Sequence, residues 1–300
     1  MDVYLLTEGR YVSPKETDWY IEQILHEDGL VQSALEAQGY IVQRVDWADS
    51  TIEWTNGRIA LFRTTWDYFD RFDEFRDWFE KNRHIISFIN PAELIDWNLD
   101  KHYLLDLEAK GVPIVPSHFV ETGNKTSLEA ECRLLNERFG WQEFILKPCV
   151  SGGARHTYRF KEPELSGLEE TFQGLIKKEP MMLQEFHQSI MTDGELSHMV
   201  IDGAYTHSIR KVGAQGEFRV QDDWGGKVED YSASSDEKDF AEFVMAQCPN
   251  EALYGRVDVM FDQKGQPMVS ELELIEPELW FRNNPDSARR LGAAIDRFLS

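Results

Sequence analysis

The 300-residue chain is 42% hydrophobic and 28% charged, close to globular averages, so a disordered or fibrous chain is not expected and two or three lobes are. Its formal charge of −23 argues against a nucleic-acid partner and an anionic membrane surface, both of which would repel it. MDVYLLTEGR lacks the pattern of a secretory signal, no run of about 18 apolar residues occurs, and Cys132, Cys149 and Cys248 form neither a disulfide framework nor a zinc pattern; a soluble cytoplasmic protein is expected.

In chain order, Val3 to Thr7 reads as a first strand, and Trp19 to Gln38 as a helix with apolar residues at helical spacing, stopped by Gly39. Tyr40 to Val45 and Arg58 to Phe62 read as further strands. Asp70 to Asn82 is an amphipathic helix with Phe72, Phe75, Trp78 and Phe79 on one face. This alternation suggests a small open α/β lobe. Asp100 to Lys110 is a second-lobe helix closed by Gly111, followed by extended VPIVP. A helix to about Phe139 and an apolar strand from Phe144 to Lys147-Pro148 come next. From Met181 the chain has the glycine-punctuated texture of an antiparallel sheet, and Pro285 to Leu299 ends it as a helix. The expected division is 1–97, 98–182 and 183–300.

The segment GRVDVMFDQKGQPMVSELELIEP, 255–277, reads as a hairpin with Gly265 at its turn. Alternation puts Arg256 and Asp258 on one face of the first strand, and Glu271 and Glu273 on one face of the second. A turn centred between Lys264 and Gly265 sets Asp258 opposite Glu271. Like charges facing each other destabilise a sheet, and a cation resolves that conflict. Oxygen ligands without histidine or cysteine point to magnesium shared with substrate phosphates. A solvated strand face accounts for the same carboxylates.

After Lys147, Ser151-Gly152-Gly153-Ala154 is a small-residue loop whose N–H groups can approach phosphate. It also reads as a plain turn between Phe144–Lys147 and His156–Phe160, and the two readings are compatible. Arg155 beside it suits either a phosphate or substrate contact or a solvent-facing arginine. Further cations, Arg210, Lys211, Arg219 and Arg256, recur in the strand-rich half and suit either anion binding or surface pairing.

These parts, in this order, resemble the ATP-grasp superfamily over roughly residues 98 to 284. The resemblance implies an α/β (α+β) fold, with an N-terminal open α/β lobe and two α+β lobes clasping ATP. It aligns Lys101 in NLDK, then Lys147 with its glycine-rich lid, with lysines on the nucleotide phosphates. Gln184, Glu185 and Phe186 in LQEFHQSI fall on the adenine-holding segment, with backbone contacts expected. Glu195 in DGELS falls on the ribose acid, and Lys211 joins the nucleotide set. GEFRVQDDWGG is similar to the ribosomal-protein glutamate ligase pattern and places Arg219 near the γ-phosphate, with Arg210 and Arg256 as further catalytic cations. Asp258, Glu271 and Glu273 occupy the metal positions; the third is asparagine in most relatives, so Glu273 adds charge.

Within the superfamily, RTTWDYFDRFDEFRDWF, PAELIDWNLDKHYLL and ELELIEPELWF look closest to the O-ureidoserine cyclo-ligase group, which makes D-cycloserine by intramolecular closure. The resemblance implies ATP and one or two Mg2+ ions, with Mn2+ as a substitute, an acyl-phosphate intermediate and a small amino-acid-like substrate. Arg63 is placed like a carboxylate-binding arginine, and Asp67 suits an amino group. Trp66 and Tyr68 read as packing. Glu276 and Arg282 either reach the acceptor or serve as capping and surface pairs. Cys149 reads as packing, with no covalent enzyme intermediate. An intermolecular ligase of the glutathione synthetase or glutamate-ligase kind, an ATP-grasp kinase and a non-catalytic nucleotide-binding module remain open alternatives, as does a homodimer.

Overall fold

Apolar runs that alternate with helices, as in the first ninety residues, favour a parallel sheet. In the computed structural model, which describes residues 1–214, 216–220 and 225–300, this segment contains β1 (Val3–Thr7), α1 (Gly9–Val12), α2 (Trp19–Ala37), β2 (Val42–Asp46), β3 (Ile59–Thr64), α3 (Phe72–Asn82) and β4 (Ser87–Ile89). The strand order is β2-β1-β3-β4, with every pairing parallel. β1 and β3 are buried along their whole length, as strands covered on both faces must be. Asp18 caps α2 by accepting the Ile21 N–H at 2.8 Å. On α3, Phe75 and Phe79 face inward onto Trp47, Phe62 and Phe88. β4 was not expected, because three residues are too few to show a period.

α4 (Ala92–Asn98) and α5 (Tyr103–Ala109) follow. The helix expected from Asp100 begins at Tyr103, because Asp100 to His102 form the turn that carries Lys101. A second sheet comprises β5 (Ser117–Val120), β6 (Glu143–Pro148), β7 (Tyr158–Lys161) and β8 (Met181–Glu185), in the antiparallel order β5-β8-β6-β7. The helices α6 (Leu128–Phe139) and α7 (Leu165–Leu175) cover it, sharing a core with Phe144 and Phe160. The glycine-rich segment joins β6 to β7 and is therefore a hairpin tip. The division expected after residue 182 falls inside β8, which pairs with β6 along its full length and with β5 from Met181 to Gln184; this sheet runs through Glu185.

Beyond α8 (Ser189–Thr192), a third sheet holds β9 (Glu195–Ile201), β10 (Ala204–Val212), β11 (Lys227–Tyr231), β12 (Tyr254–Phe261) and β13 (Pro267–Glu273). Its order is β11-β10-β9-β12-β13, antiparallel throughout. α9 (Ser235–Ala246) covers one face and packs Ala241, Val244 and Met245 against Val257 and Leu272. The final helix α10 (Pro285–Leu299) returns to α2, where Leu291 and Ile295 share a core with Val31 and Leu35. The first and third sheets are therefore joined. Asn90 and Asn98 stitch the seam: the Asn90 amide donates to Tyr254 O and Leu274 O at 2.8 Å each. The Asn98 amide donates to Leu272 O and its oxygen accepts the Leu274 N–H, both at 2.8 Å.

Candidate active site

The register of β12 and β13 sets Asp258 opposite Glu271, as expected, and Arg256 opposite Glu273, although the strands next to the turn pair around Lys264 and not between Lys264 and Gly265. A bulge follows, since Val259 pairs with Val269 and Ser270 is the extra residue. Asp258 is 2% exposed, and a buried carboxylate needs partners. It has Arg256 Nη2 at 2.8 Å, Lys211 Nζ at 3.1 Å and the Ser197 hydroxyl donating to it. Burial would raise its carboxyl, but Arg256 and Lys211 outweigh that and hold it well below the usual range.

Neighbouring strands supply the rest. Across β9 and β10, Glu195 pairs with Lys211, whose ammonium lies 2.6 Å from Glu195 Oε2; across β9 and β12, Ser197 pairs with Asp258. The bulge residue Ser270 donates to Glu195 at 2.6 Å. Glu271 meets Lys101 Nζ at 3.0 Å. Burial opposes ionisation of Glu271, and Lys101 and Lys147 overcome it, so its carboxyl is lowered. Glu273 pairs with Arg256, yet its carboxyl is pushed up to about 7, by burial first and then against Arg256 by Glu271 and Asp258. Burial of three carboxylates on one hairpin is therefore offset by cations from the hairpin and from neighbouring elements.

From the α4–α5 turn, Lys101 donates to Ser151 O at 2.6 Å and its N–H bonds Cys149 O at 3.0 Å, which ties that turn to the glycine-rich loop. Burial lowers the Lys147 ammonium despite Glu271. Gly153 at φ +56° and Ala154 at φ +59° both lie in the left-handed region, free for glycine but costing roughly 1–2 kcal/mol for alanine.

A cleft of about 510 Å³ gathers Lys101, Lys147, Ser151 to Ala154, Gln184, Glu185, Phe186, Glu195, Lys211, Arg219, Arg256, Asp258, Glu271, Glu273 and Glu276. The N–H groups of Glu185 and Phe186 are already engaged by Pro116 O at 3.3 Å and Glu143 O at 2.9 Å. The Gln184 side chain donates to Ser117 Oγ at 2.8 Å. The backbone contacts expected there thus exclude those two N–H groups. Arg219 Nη2 lies 2.7 Å from Glu217 Oε2; in its motif, residues 221–224 lie outside the described residues.

Four expected site residues do not line the cleft. Arg63 is 2% exposed and turned from β3 onto Asp28 of α2, 3.2 Å away. Asp67 accepts Trp47 Nε1 and Arg71 Nη1, both at 2.7 Å. Arg210 pairs with Glu229 of β11 at 2.6 Å, since alternation turns it away from the face that Lys211 occupies. Arg282 is shared between Glu27 at 2.9 Å and Glu278 at 2.6 Å. Arg155 lines the cleft, but its guanidinium is bidentate on Glu179 at 2.9 and 2.8 Å.

Other residues enter the cleft unanticipated: Arg10, Tyr20, Phe69, Glu278 and Trp280, along with Trp66 and Tyr68, which had been read as packing. Trp66 Nε1 donates to Glu276 O at 3.0 Å, and the Tyr68 hydroxyl bonds the Glu276 carboxylate. Their signal was available: both follow the carboxyl end of a parallel strand, where open α/β sheets bind ligands. Asp100, His102 and Cys149 also converge, their ligating atoms within 4.8 Å of one another. His102 already faces Asp100 at 2.5 Å and Glu121 at 3.0 Å, and burial pushes the Cys149 thiol well up. Cys149 is packing, as expected.

The chain matches the family described as prokaryotic glutathione synthetase, ATP-grasp domain, over residues 114–263, half its length. It matches that described as D-cycloserine synthetase DcsG, N-terminal domain, over residues 3–90. The cycloserine biosynthesis protein DcsG of Streptomyces lavendulae is 30% identical over 272 residues, spanning 87% of this chain and 90% of DcsG. The chain belongs to the ATP-grasp family. Among solved structures, D-cycloserine synthetase DcsG is similar at a TM-score of 0.86 and 27% identity, with both chains covered in full. D-alanine–D-alanine ligase from Bacillus anthracis shares the fold at 0.67 and 12% identity, covering 100% of this chain and 96% of that one.

As an ATP-grasp member similar to DcsG, this protein is an ATP-dependent ligase. ATP and a divalent metal are the general requirements of the family. The donors here fit a divalent ion by their chemistry: the carboxylate oxygens of Asp258, Glu271 and Glu273, hard ligands brought together on one hairpin. No helix among the described residues is long and apolar enough to cross a membrane.

Proposed function

We propose that this ligase activates the carboxylate of a small amino-acid derivative resembling O-ureidoserine as an acyl phosphate and closes it onto a nitrogen of the same molecule. The observation that carries this reading is the likeness to DcsG, which runs through the N-terminal unit as well as the ATP-grasp domain. The modest cleft supports it, because nucleotide and substrate must share about 510 Å³. We infer three units, with 1–97 carrying the substrate wall, 98–185 the glycine-rich loop and 186–300 the acidic hairpin.

Magnesium, one or two ions with manganese as a substitute, would be held by Asp258, Glu271 and Glu273 and would supply charge neutralisation for the nucleotide phosphates. Lys101 and Lys147 take the α/β-phosphate region, with the N–H groups of Ser151 to Ala154 above it. Gln184, Glu185 and Phe186 flank the adenine, and Glu195 with Lys211 the ribose and phosphates. Arg256, fixed by Asp258 and Glu273, holds the carboxylates in place, and Arg219 faces the charge that develops on the transferring phosphoryl group. Glu276, with Tyr68 and Trp66, orients the substrate.

The substrate carboxylate oxygen attacks the γ-phosphorus and ADP leaves. The nitrogen then attacks the acyl carbon, the C–O bond breaks, phosphate departs and the nitrogen loses its proton. The loop keeps water from the acyl phosphate in between.

The test is phosphate release from ATP and magnesium across a panel of amino acids, with and without hydroxylamine, with product masses. Substrate-dependent release, a trapped hydroxamate and a product short of one water from a single molecule are expected. A stable phosphorylated product would instead make the protein a kinase. A two-molecule product would make it an intermolecular ligase.

A further inference from the structure

Phe69 and Asp70 reach from the N-terminal unit to the glycine-rich loop. A Cβ built on Gly152 would stand 2.6 Å from Phe69 Cε1 and 3.0 Å from its Cδ1. Glycine at 152 therefore answers to the Phe69 ring, not to a backbone torsion. Next to it, Arg155 Nε lies 3.3 Å from Asp70 Oδ1 while its two other nitrogens hold Glu179. Arg155 thus bridges the N-terminal unit to the segment just before β8.

The residues immediately preceding Phe69 and Asp70 form the opposite contact. Trp66 and Tyr68 line the cleft and both bond Glu276, and the Tyr68 and Phe69 rings meet edge to face at 5.4 Å. Four of the residues 66–70, all but Asp67, therefore line the cleft, with Trp66 and Tyr68 at Glu276 and Phe69 and Asp70 at the glycine-rich loop. A rigid segment with contacts at both ends transmits displacement from one to the other.

We propose that Phe69 and Asp70 are positioning residues that, through Gly152 and Arg155, seat the glycine-rich loop on the nucleotide in register with the substrate wall at Trp66 and Tyr68. The Phe69–Gly152 contact carries most of the effect, because Asp70 is largely exposed and such ion pairs contribute little. A loosely seated loop admits water, which splits the acyl phosphate to free acid and phosphate and diverts ATP from product.

The experiment is a double-substitution cycle on the full chain, Gly152→Ala, Phe69→Ala and both together. Its first readout is the affinity of a non-hydrolysable ATP analogue with magnesium, which does not depend on ligation. Gly152→Ala is expected to weaken it at least tenfold, and the pair to regain most of that loss, because removing the ring makes room for the methyl group. A pair no better than Gly152→Ala, or a Gly152→Ala variant that binds normally, overturns the proposal. Phe69→Leu replaces Phe69→Ala if the latter fails to fold, and is expected to restore partially.

The second readout rests on the ligase reading: phosphate released per product formed is expected to rise at least twofold in Phe69→Ala and less in Asp70→Asn. An unchanged ratio beside altered binding removes the positioning role in chemistry. Absence of product from the unsubstituted protein counts against the ligase reading and leaves the binding cycle to decide this one.

Discussion

Asp258 and Glu271 face each other across the β12–β13 hairpin, and each is held by a lysine from outside it, Lys211 of β10 and Lys101 of the α4–α5 turn. Two like charges directly opposed would destabilise a sheet. Here the opposition is maintained by cations that converge from outside the hairpin.

Glu271→Ala and Asp258→Asn are each expected to lower ATP-dependent phosphate release by at least about 10³-fold, the effect of losing several kcal/mol of charge stabilisation. Chelation with EDTA should silence the unsubstituted protein, and added magnesium should restore it. Near-normal turnover in Glu271→Ala would remove the metal assignment.

Burial first, and then Glu273, pushes the Glu276 carboxyl up to about 8, against its Tyr68 hydrogen bond. A carboxyl raised in the folded state binds its proton more tightly there than when unfolded. The stability this adds is complete below pH 4.5 and is lost as pH climbs towards 8. Glu276→Gln stays neutral at every pH, so it should match the parent near pH 4.5 and exceed it near pH 8, by at least about 1 kcal/mol. Thermal melts of both proteins across that range check it; parallel melting curves would contradict the burial effect.

Arg63 was expected to bind substrate, but it is enclosed with Asp28, which Arg44 also meets at 2.9 Å. Arg63→Met should lower unfolding free energy by about 3 kcal/mol, the scale of breaking a buried ion pair, while the substrate KM of the surviving folded enzyme stays put. Urea titration and steady-state kinetics separate the two, and a KM rise without loss of stability would return Arg63 to the site.

Removing the Asn98 side chain strands the Leu272 carbonyl and the Leu274 N–H in the core. Asn98→Ala is expected to lose about 2–4 kcal/mol by urea titration, since each buried orphan group costs about 1–3 kcal/mol. A loss below half a kcal/mol would mean that water or a neighbour takes over both bonds.

The facing of Asp258 and Glu271 was legible, but its cause was not: next to the turn the strands pair around Lys264, as Phe261 with Pro267 and Met260 with Met268, and the bulge at Ser270 then brings Glu271 opposite Asp258. Arg63 was placed by resemblance alone, because β3 is buried on both faces and its apolar run carries no alternation to say which side meets ligand, and Asp67 lies beyond that strand. Arg210 was also placed by resemblance; its neighbour Lys211 has the same charge, and the pairing of Arg210 with Glu229 of β11 tells the two apart. α9 went unseen although Ser234 and Glu237 form its capping box, hidden among strands rich in turns. Trp66, Tyr68 and Phe69 were recognisable as core-like aromatics, and their double duty as cleft wall depends on distant partners that no local pattern contains.

The seating of α10 on α2 has a consequence for how the protein is made. A Cβ on Gly292 would come within 3.1 Å of Ala34, so the two helices meet backbone to backbone, and Arg58 Nη2 reaches the Leu299 carbonyl at 2.8 Å. The N-terminal unit therefore keeps Val31 and Leu35 uncovered until α10, distant in sequence, has docked. Domains generally fold as they appear, but this one is completed by a helix that follows both other sheets in the chain, so losing α10 leaves the core of the N-terminal unit open.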